Sequence, residues 1–178
     1  MKKVLSIFGE MADRDIEWLA RSGEVMTVIA GQTVVTVGEP LSRIFIVLEG
    51  ELNVELTAAD TVVLGTGEII GELSFIDRRP PSATVVASIE SKLLAIDKTL
   101  LEEKLSADSR FAANFFRALA VFLSTRLRGT VGRLGYGNSS AEDGDYEENE
   151  IDLSELTNAH LGGERFDRLL KQVRTPEH

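Results

Sequence analysis

The sequence predicts a mainly β fold with flanking helices: a jelly-roll β-barrel preceded by a short helix and followed by a long one. Three observations carry this prediction. Between Val25 and Ile96 the chain breaks into brief β-branched and apolar runs cut by Gly, Pro, Asn or Asp, and many short strands at close spacing suit a barrel or a double-sheet jelly roll. Gly31, Gly38, Gly50, Gly65 and Gly67 fall between those runs, where turns need positive φ or a close backbone approach. On either side of the stretch, apolar residues recur at the three- and four-residue steps of a helix.

The leading helix is predicted over Asp13–Arg21, with Ile16, Leu19 and Ala20 on one face, acids near its start and Arg21-Ser22-Gly23 closing it. Strands are predicted at Val25–Ile29, Thr33–Val37, Ile44–Leu48, Leu52–Leu56, Thr61–Leu64, Ala83–Ile89 and Lys92–Ile96, with one short helix at Gly71–Ile76. After Asp97 the period becomes helical. Leu100, Leu101 and Leu105 lead into a long helix over Asp108–Leu127 that carries Phe111, Phe115, Phe116, Leu119, Phe122 and Leu123. Four phenylalanines exceed one contact stripe. The surplus points to a partner helix, most simply its own copy in a two-fold dimer; the alternative is that the rings fold back onto the barrel.

Gly129, Gly132, Gly135 and Gly137 weaken the helix, and Asn138–Glu150 is rich in Ser, Gly and uncompensated acids. Such a segment has little to bury and reads as a linker. Ile151–Val173 then offers Leu153, Leu156, Leu161, Phe166, Leu169, Leu170 and Val173, with Gly162-Gly163 as a break and an amphipathic helix at Phe166–Val173. A helix that short is unstable alone, so it needs a docking surface. The division expected is 1–134 for the barrel with its long helix, 135–150 for an acidic linker and 151–178 for an amphipathic tail.

Composition narrows the function. A chain of 178 residues buries one sizeable core. Its 29 acidic and 19 basic residues give a net charge of −10, a field that repels nucleic-acid backbones, so no autonomous DNA binding is expected. Lys2-Lys3 precedes an apolar stretch too brief for a signal sequence, no run reaches membrane-spanning length, and the expected location is cytoplasmic. Zero cysteines exclude disulfides, thiolate chemistry and cysteine-held metals. His160 and His178 are the only histidines and both lie in the tail, which leaves a barrel metal centre, a haem or a Ser-His-Asp triad without imidazole. Glu68 and Glu72 need not converge for acid–base work. A non-enzyme without metal or cofactor is expected.

The most telling stretch is Gly67-Glu68-Ile69-Ile70-Gly71-Glu72-Leu73-Ser74-Phe75-Ile76-Asp77-Arg78-Arg79-Pro80-Pro81-Ser82-Ala83-Thr84-Val85. It follows Gly38-Glu39-Pro40 and the run Ile44 to Val54, in which Gly50 separates two strands. Together these resemble the cyclic-nucleotide-binding domain over about Val4 to Leu127, with the stretch from Gly67 to Val85 in step with its phosphate-binding cassette. The resemblance implies that Glu72 accepts the ribose hydroxyl and that amides near Gly71, Leu73 and Ser74 face the cyclic phosphate at a helix N-terminus. It also implies that Ser82 and Ala83 add a hydroxyl and a further amide, and that Thr130 stands where a bacterial relative's threonine contacts the base. One position departs from the family. Pro81 stands where the family carries its phosphate-binding arginine, with seven residues between it and Leu73.

A charge-assisted hydrogen bond contributes about 1.5–3 kcal/mol, so its loss weakens phosphate binding by roughly 10- to 100-fold. A polyproline II path through Pro80-Pro81 would set Arg78 in the direction of Pro81, and an extended path would favour Arg79. The function expected from the resemblance is regulatory: a sensor that binds cyclic AMP or cyclic GMP weakly and shifts its C-terminal helices. The alternative is a degenerate, ligand-free dimeric scaffold or adaptor, with residues 151–174 contacting a protein partner. A transcription regulator of the bacterial cyclic-AMP-receptor type needs a basic helix-turn-helix domain, which the acidic linker and tail do not supply.

Overall fold

Seven of the eight strands among the described residues stand where the apolar runs place them, in two antiparallel four-stranded sheets that form the barrel. A computed structural model describes residues 8–55, 61–133 and 153–174. Helix α1 (Asp13–Ser22) leads into strands β1 (Glu24–Val28), β2 (Thr33–Val35), β3 (Arg43–Glu49), β4 (Glu51–Glu55), β5 (Thr61–Gly65) and β6 (Ile69–Ile70). Helix α2 (Glu72–Ile76) follows, then β7 (Thr84–Ala87), β8 (Ser91–Asp97) and helices α3 (Lys98–Ala107), α4 (Ser109–Arg133) and α5 (Leu153–Arg174). One sheet runs β1-β8-β3-β6 and the other β2-β7-β4-β5. Helices α4 and α5, of 25 and 22 residues, outweigh the strands, so the chain is less dominated by β structure than its sequence predicts.

Strand β3 explains how two cores share one sheet. Its five central residues are all buried. Alternation sends Phe45 and Val47 into the barrel, beside Val28, Leu52, Leu64 and Leu93, and Ile44, Ile46 and Leu48 outward against the helices, beside Ile16, Leu19, Phe111 and Phe115. A strand covered on both faces reads as an unbroken apolar run. Gly50 turns β3 into β4 at a φ of 100°, where an added Cβ would lie 2.7 Å from the Ser91 Cα. Only glycine fits that turn.

The helices lock together through one buried acid. Asp15 accepts from the Ala12 N–H at 2.9 Å, closing the start of α1, and from the Asn114 side chain of α4 at 2.8 Å. Trp18 meets Phe111 edge to face at 5.0 Å. Phe111, Phe115 and Phe122 are thus buried within their own chain, and the reading in which the rings fold back holds for these three. Phe116 remains outside, 48% exposed, with Leu127 and Val131.

The tail differs from its expected form in length. Helix α5 passes through Gly162-Gly163 unbroken and docks on α1. Phe166 packs 5.3 Å from Phe8, and Leu169 is fully buried. Arg165 donates to the Phe8 and Gly9 carbonyls at 3.2 and 2.8 Å and to Asp13 at 3.0 Å, and Arg168 pairs with Asp13 as well. Those two guanidiniums hold the Asp13 carboxyl below its ordinary value. The docking surface a short amphipathic helix requires is therefore supplied by the chain itself, and the helix is longer because packing offsets the ~1 kcal/mol cost of each glycine. The expected linker, 135–150, and the boundary at 134 lie outside the described residues.

Candidate functional site

Where β6 ends, the chain must turn sharply from a strand into α2. Gly71 does so at a φ of 87°, and a Cβ there would meet the Leu41 side chain at 2.7 Å. The turn throws Glu72 inward at the first position of the helix, only 4% exposed. Beyond α2, the Asp77 carboxylate accepts from the Arg79 N–H at 3.0 Å and Arg78 takes a φ of 59°. This Asx-type turn replaces the regular path expected through Pro80-Pro81. The Pro81 carbonyl then accepts from Gly38 N–H at 2.9 Å, and the Thr84 hydroxyl from Val37 N–H at 3.2 Å. The loop is thereby tied to the β2–β3 connection.

Between loop and helix lies a cavity of about 310 Å³. Its apolar wall includes Val35, Val54, Leu64, Ile70 and Val85 from the barrel interior; its polar rim includes Ser74, Asp77 and Ser82. A small volume, apolar walls and a few convergent polar groups characterise a ligand site. Of the residues singled out in the sequence, Gly71, Glu72, Leu73, Ser74, Arg79, Pro81, Ser82 and Ala83 all line it. Arg78 and Thr130 do not. Arg78 is carried elsewhere by its left-handed backbone, and the Thr130 hydroxyl donates to the Arg126 carbonyl at 3.0 Å, one turn back along α4. Glu68 is also apart: its carboxylate accepts from the Gly65 N–H at 2.8 Å and closes the turn before β6.

Sequence reasoning missed Arg126. From α4 it reaches the cavity, donates from Nη1 to Glu72 Oε1 at 2.8 Å, and lies with its Cζ 5.2 Å from the centre of the Phe122 ring. A signal was present. Successive residues of a helix are ~100° apart, so Phe115, Leu119, Phe122 and Arg126 share one face, and an arginine on a buried stripe needs a partner. Burial pushes the Glu72 carboxyl above its ordinary value, and the Arg126 charge opposes that rise. The carboxylate expected to meet a ribose hydroxyl therefore already has a cationic partner from the long helix.

Chemically, the lining brings together the acids Glu72 and Asp77, the arginines Arg79 and Arg126, the serines Ser74 and Ser82 and an apolar wall. No group of side chains able to hold a metal ion occurs among the described residues, and no described helix is long and apolar enough to cross a membrane. His160 lies on α5, 3.5 Å from Glu164 and remote in sequence from the cavity residues.

Comparison with known proteins places this geometry. A cyclic nucleotide-gated potassium channel of Mesorhizobium japonicum is 31% identical over 115 residues, 65% of this chain and 32% of the channel. The chain thus spans about a third of that relative. The N-terminal domain of a transcriptional regulator from Streptomyces coelicolor aligns at 29% identity and a TM-score of 0.59, over 78% of this chain and 99% of that one. A cyclic nucleotide-binding domain from Methylobacillus flagellatus aligns at a TM-score of 0.66, over 79% of this chain and 84% of that one, at 22% identity, and attests the fold. The family model for the cyclic nucleotide-binding domain matches residues 25–108, which contain every strand from β2 to β8 and the whole cassette. By sequence across that span and by fold, this chain carries a domain of the cyclic nucleotide-binding family.

Proposed function

We propose that this domain is a non-enzymatic sensor whose cavity takes cyclic AMP or cyclic GMP with low affinity and transmits occupancy through α4. The observation that carries the reading is the buried carboxylate of Glu72 lining a cavity whose inner wall is the apolar barrel interior. A carboxylate so placed suits a vicinal hydroxyl, while Val35, Val54, Leu64 and Val85 suit the flat face of a base or sugar. Pro81 lowers the affinity because it contributes no charge. The resemblance to a cyclic nucleotide-gated channel and to transcriptional regulators supports a regulatory role for the family's domain.

A second reading, a ligand-free scaffold, is favoured by Pro81 together with the prior engagement of Glu72 by Arg126. Calorimetric titration of cyclic AMP and cyclic GMP into the full chain separates the two. Saturable heat from either nucleotide is expected. Its absence from the natural protein and from the Pro81→Arg variant alike would leave the scaffold.

In both readings the chain is cytoplasmic and forms a homodimer. Phe116, Ala120, Leu127 and Val131 lie within about 60° of one another around α4, and Phe116, Leu127 and Val131 are exposed. A stripe left uncovered after Phe111, Phe115 and Phe122 turn inward is what a second α4 would bury. Replacing both Phe116 and Leu127 with serine is expected to convert a dimer to a monomer in sedimentation at micromolar concentration, without altering the thermal stability of the fold by more than the loss of association. A natural protein that sediments as a monomer would sink the proposal. Because the apolar face of α5 is occupied by α1, a separate protein partner for residues 151–174 would first have to displace that contact.

A further inference from the structure

We propose that Arg126 supplies the guanidinium that Pro81 lacks, so that the anionic group of the ligand is held from the long helix rather than from the cassette loop. The inference rests on the sensor reading above and assigns the charge that reading leaves open. Two arginines line the cavity, and they differ in what surrounds them. Arg79 is on the exposed loop, where its backbone N–H donates to Asp77 and no side-chain partner occurs among the described residues. The Arg126 side chain is 31% exposed, oriented by Glu72 on one side and by the Phe122 ring on the other.

Electrostatic attraction is stronger where water is partly excluded, and a side chain already held in position loses little freedom when an anion arrives. Guanidinium carries five N–H donors in a rigid fork. One Nη of Arg126 serves Glu72 at 2.8 Å, which leaves further donors for a phosphate oxygen. A single ion pair then reads two parts of the ligand: Glu72 takes hydroxyl protons and Arg126 the anion. Since Arg126 belongs to α4 and not to the barrel, the ligand's charge pulls directly on the helix that carries the exposed stripe.

The test uses calorimetry with cyclic AMP and cyclic GMP on the full chain and five variants: Arg126→Gln, Arg126→Lys, Arg79→Ala, Pro81→Arg, and Pro81→Arg combined with Arg126→Gln. Arg126→Gln alone is expected to weaken binding by at least about 10-fold, the effect of losing one charge-assisted contact. Arg126→Lys, which keeps the charge, should retain most of the affinity. In the Pro81→Arg background the glutamine substitution should cost less than about 3-fold, because a cassette guanidinium then holds the anion. A role confined to positioning Glu72 predicts equal losses in both backgrounds, and that result overturns the proposal. So does an unchanged affinity in Arg126→Gln, or a loss confined to Arg79→Ala. If Pro81→Arg binds and the natural protein does not, Arg126 holds no anion and this inference alone falls. If no variant binds either nucleotide, the sensor reading itself fails.

Discussion

Replacing Pro81 with arginine is expected to tighten cyclic AMP and cyclic GMP binding by about 10- to 100-fold, the equivalent of one charge-assisted hydrogen bond at 1.4 kcal/mol per decade. The position is already built for it. Pro81 lines the cavity beside Ser82 and Ala83, and its carbonyl is held by Gly38 N–H at 2.9 Å, so the local path does not depend on the proline ring alone. A planar guanidinium at this point would add donors from the loop to a cavity that Glu72 and Arg126 line from α2 and α4. Paired titrations of the natural and substituted proteins measure the change. Equal affinities would mean that the loop does not bring residue 81 to the anion, and the low affinity ascribed to Pro81 would have to be given up.

Phe111→Ala is expected to destabilise the fold by about 3–5 kcal/mol, the range for deleting a large buried aromatic side chain. Phe111 is fully buried, meets Trp18 edge to face at 5.0 Å and stacks on Phe115 at 5.9 Å, while the Lys104 ammonium lies 5.2 Å above its ring. Its loss removes contacts on α1, α3 and α4 together, and the sheet beneath cannot move to fill the gap because β3 is packed on both faces. Denaturant unfolding should show a lower midpoint with an unchanged slope. A loss below about 1 kcal/mol would indicate that α4 does not rest on α1 as described.

Most of the fold was legible because its signals are local. The strand runs appear within one or two residues of their predicted bounds, since each is a stretch of β-branched residues ended by a turn former. Strand β6 was not legible: Ile69–Ile70 is too short to show any alternation. The extension of α4 to Arg133 past Gly129 and Gly132, and of α5 through Gly162-Gly163, depends on distant packing that outweighs glycine's unfavourable helix propensity. In the site, the cassette residues were legible because they are contiguous and their turn demands Gly71. Arg126 was not, because its meaning depends on Glu72, which lies 54 residues earlier. The choice between Arg78 and Arg79 turned on a side-chain-to-backbone bond from Asp77 that a regular polyproline or extended path does not include.

The docking of α5 on α1 has a consequence for how the chain is made. Arg165 and the Phe8 carbonyl it binds are 157 residues apart. At ribosomal elongation rates of ~5–20 residues per second, the N-terminal helix exists for roughly 8 to 30 s before its cover has been synthesised. During that interval the ring of Phe8 lacks Phe166, and Asp13 lacks both arginines. The strands pair entirely among residues 24–97, so the barrel has time to close first, and α1 settles on its outer face with one flank still bare. The nascent protein thus passes through a stage in which an apolar, acid-edged surface near its N-terminus is open to chaperones or to another unfinished chain, and completion of α5 is the event that ends that exposure.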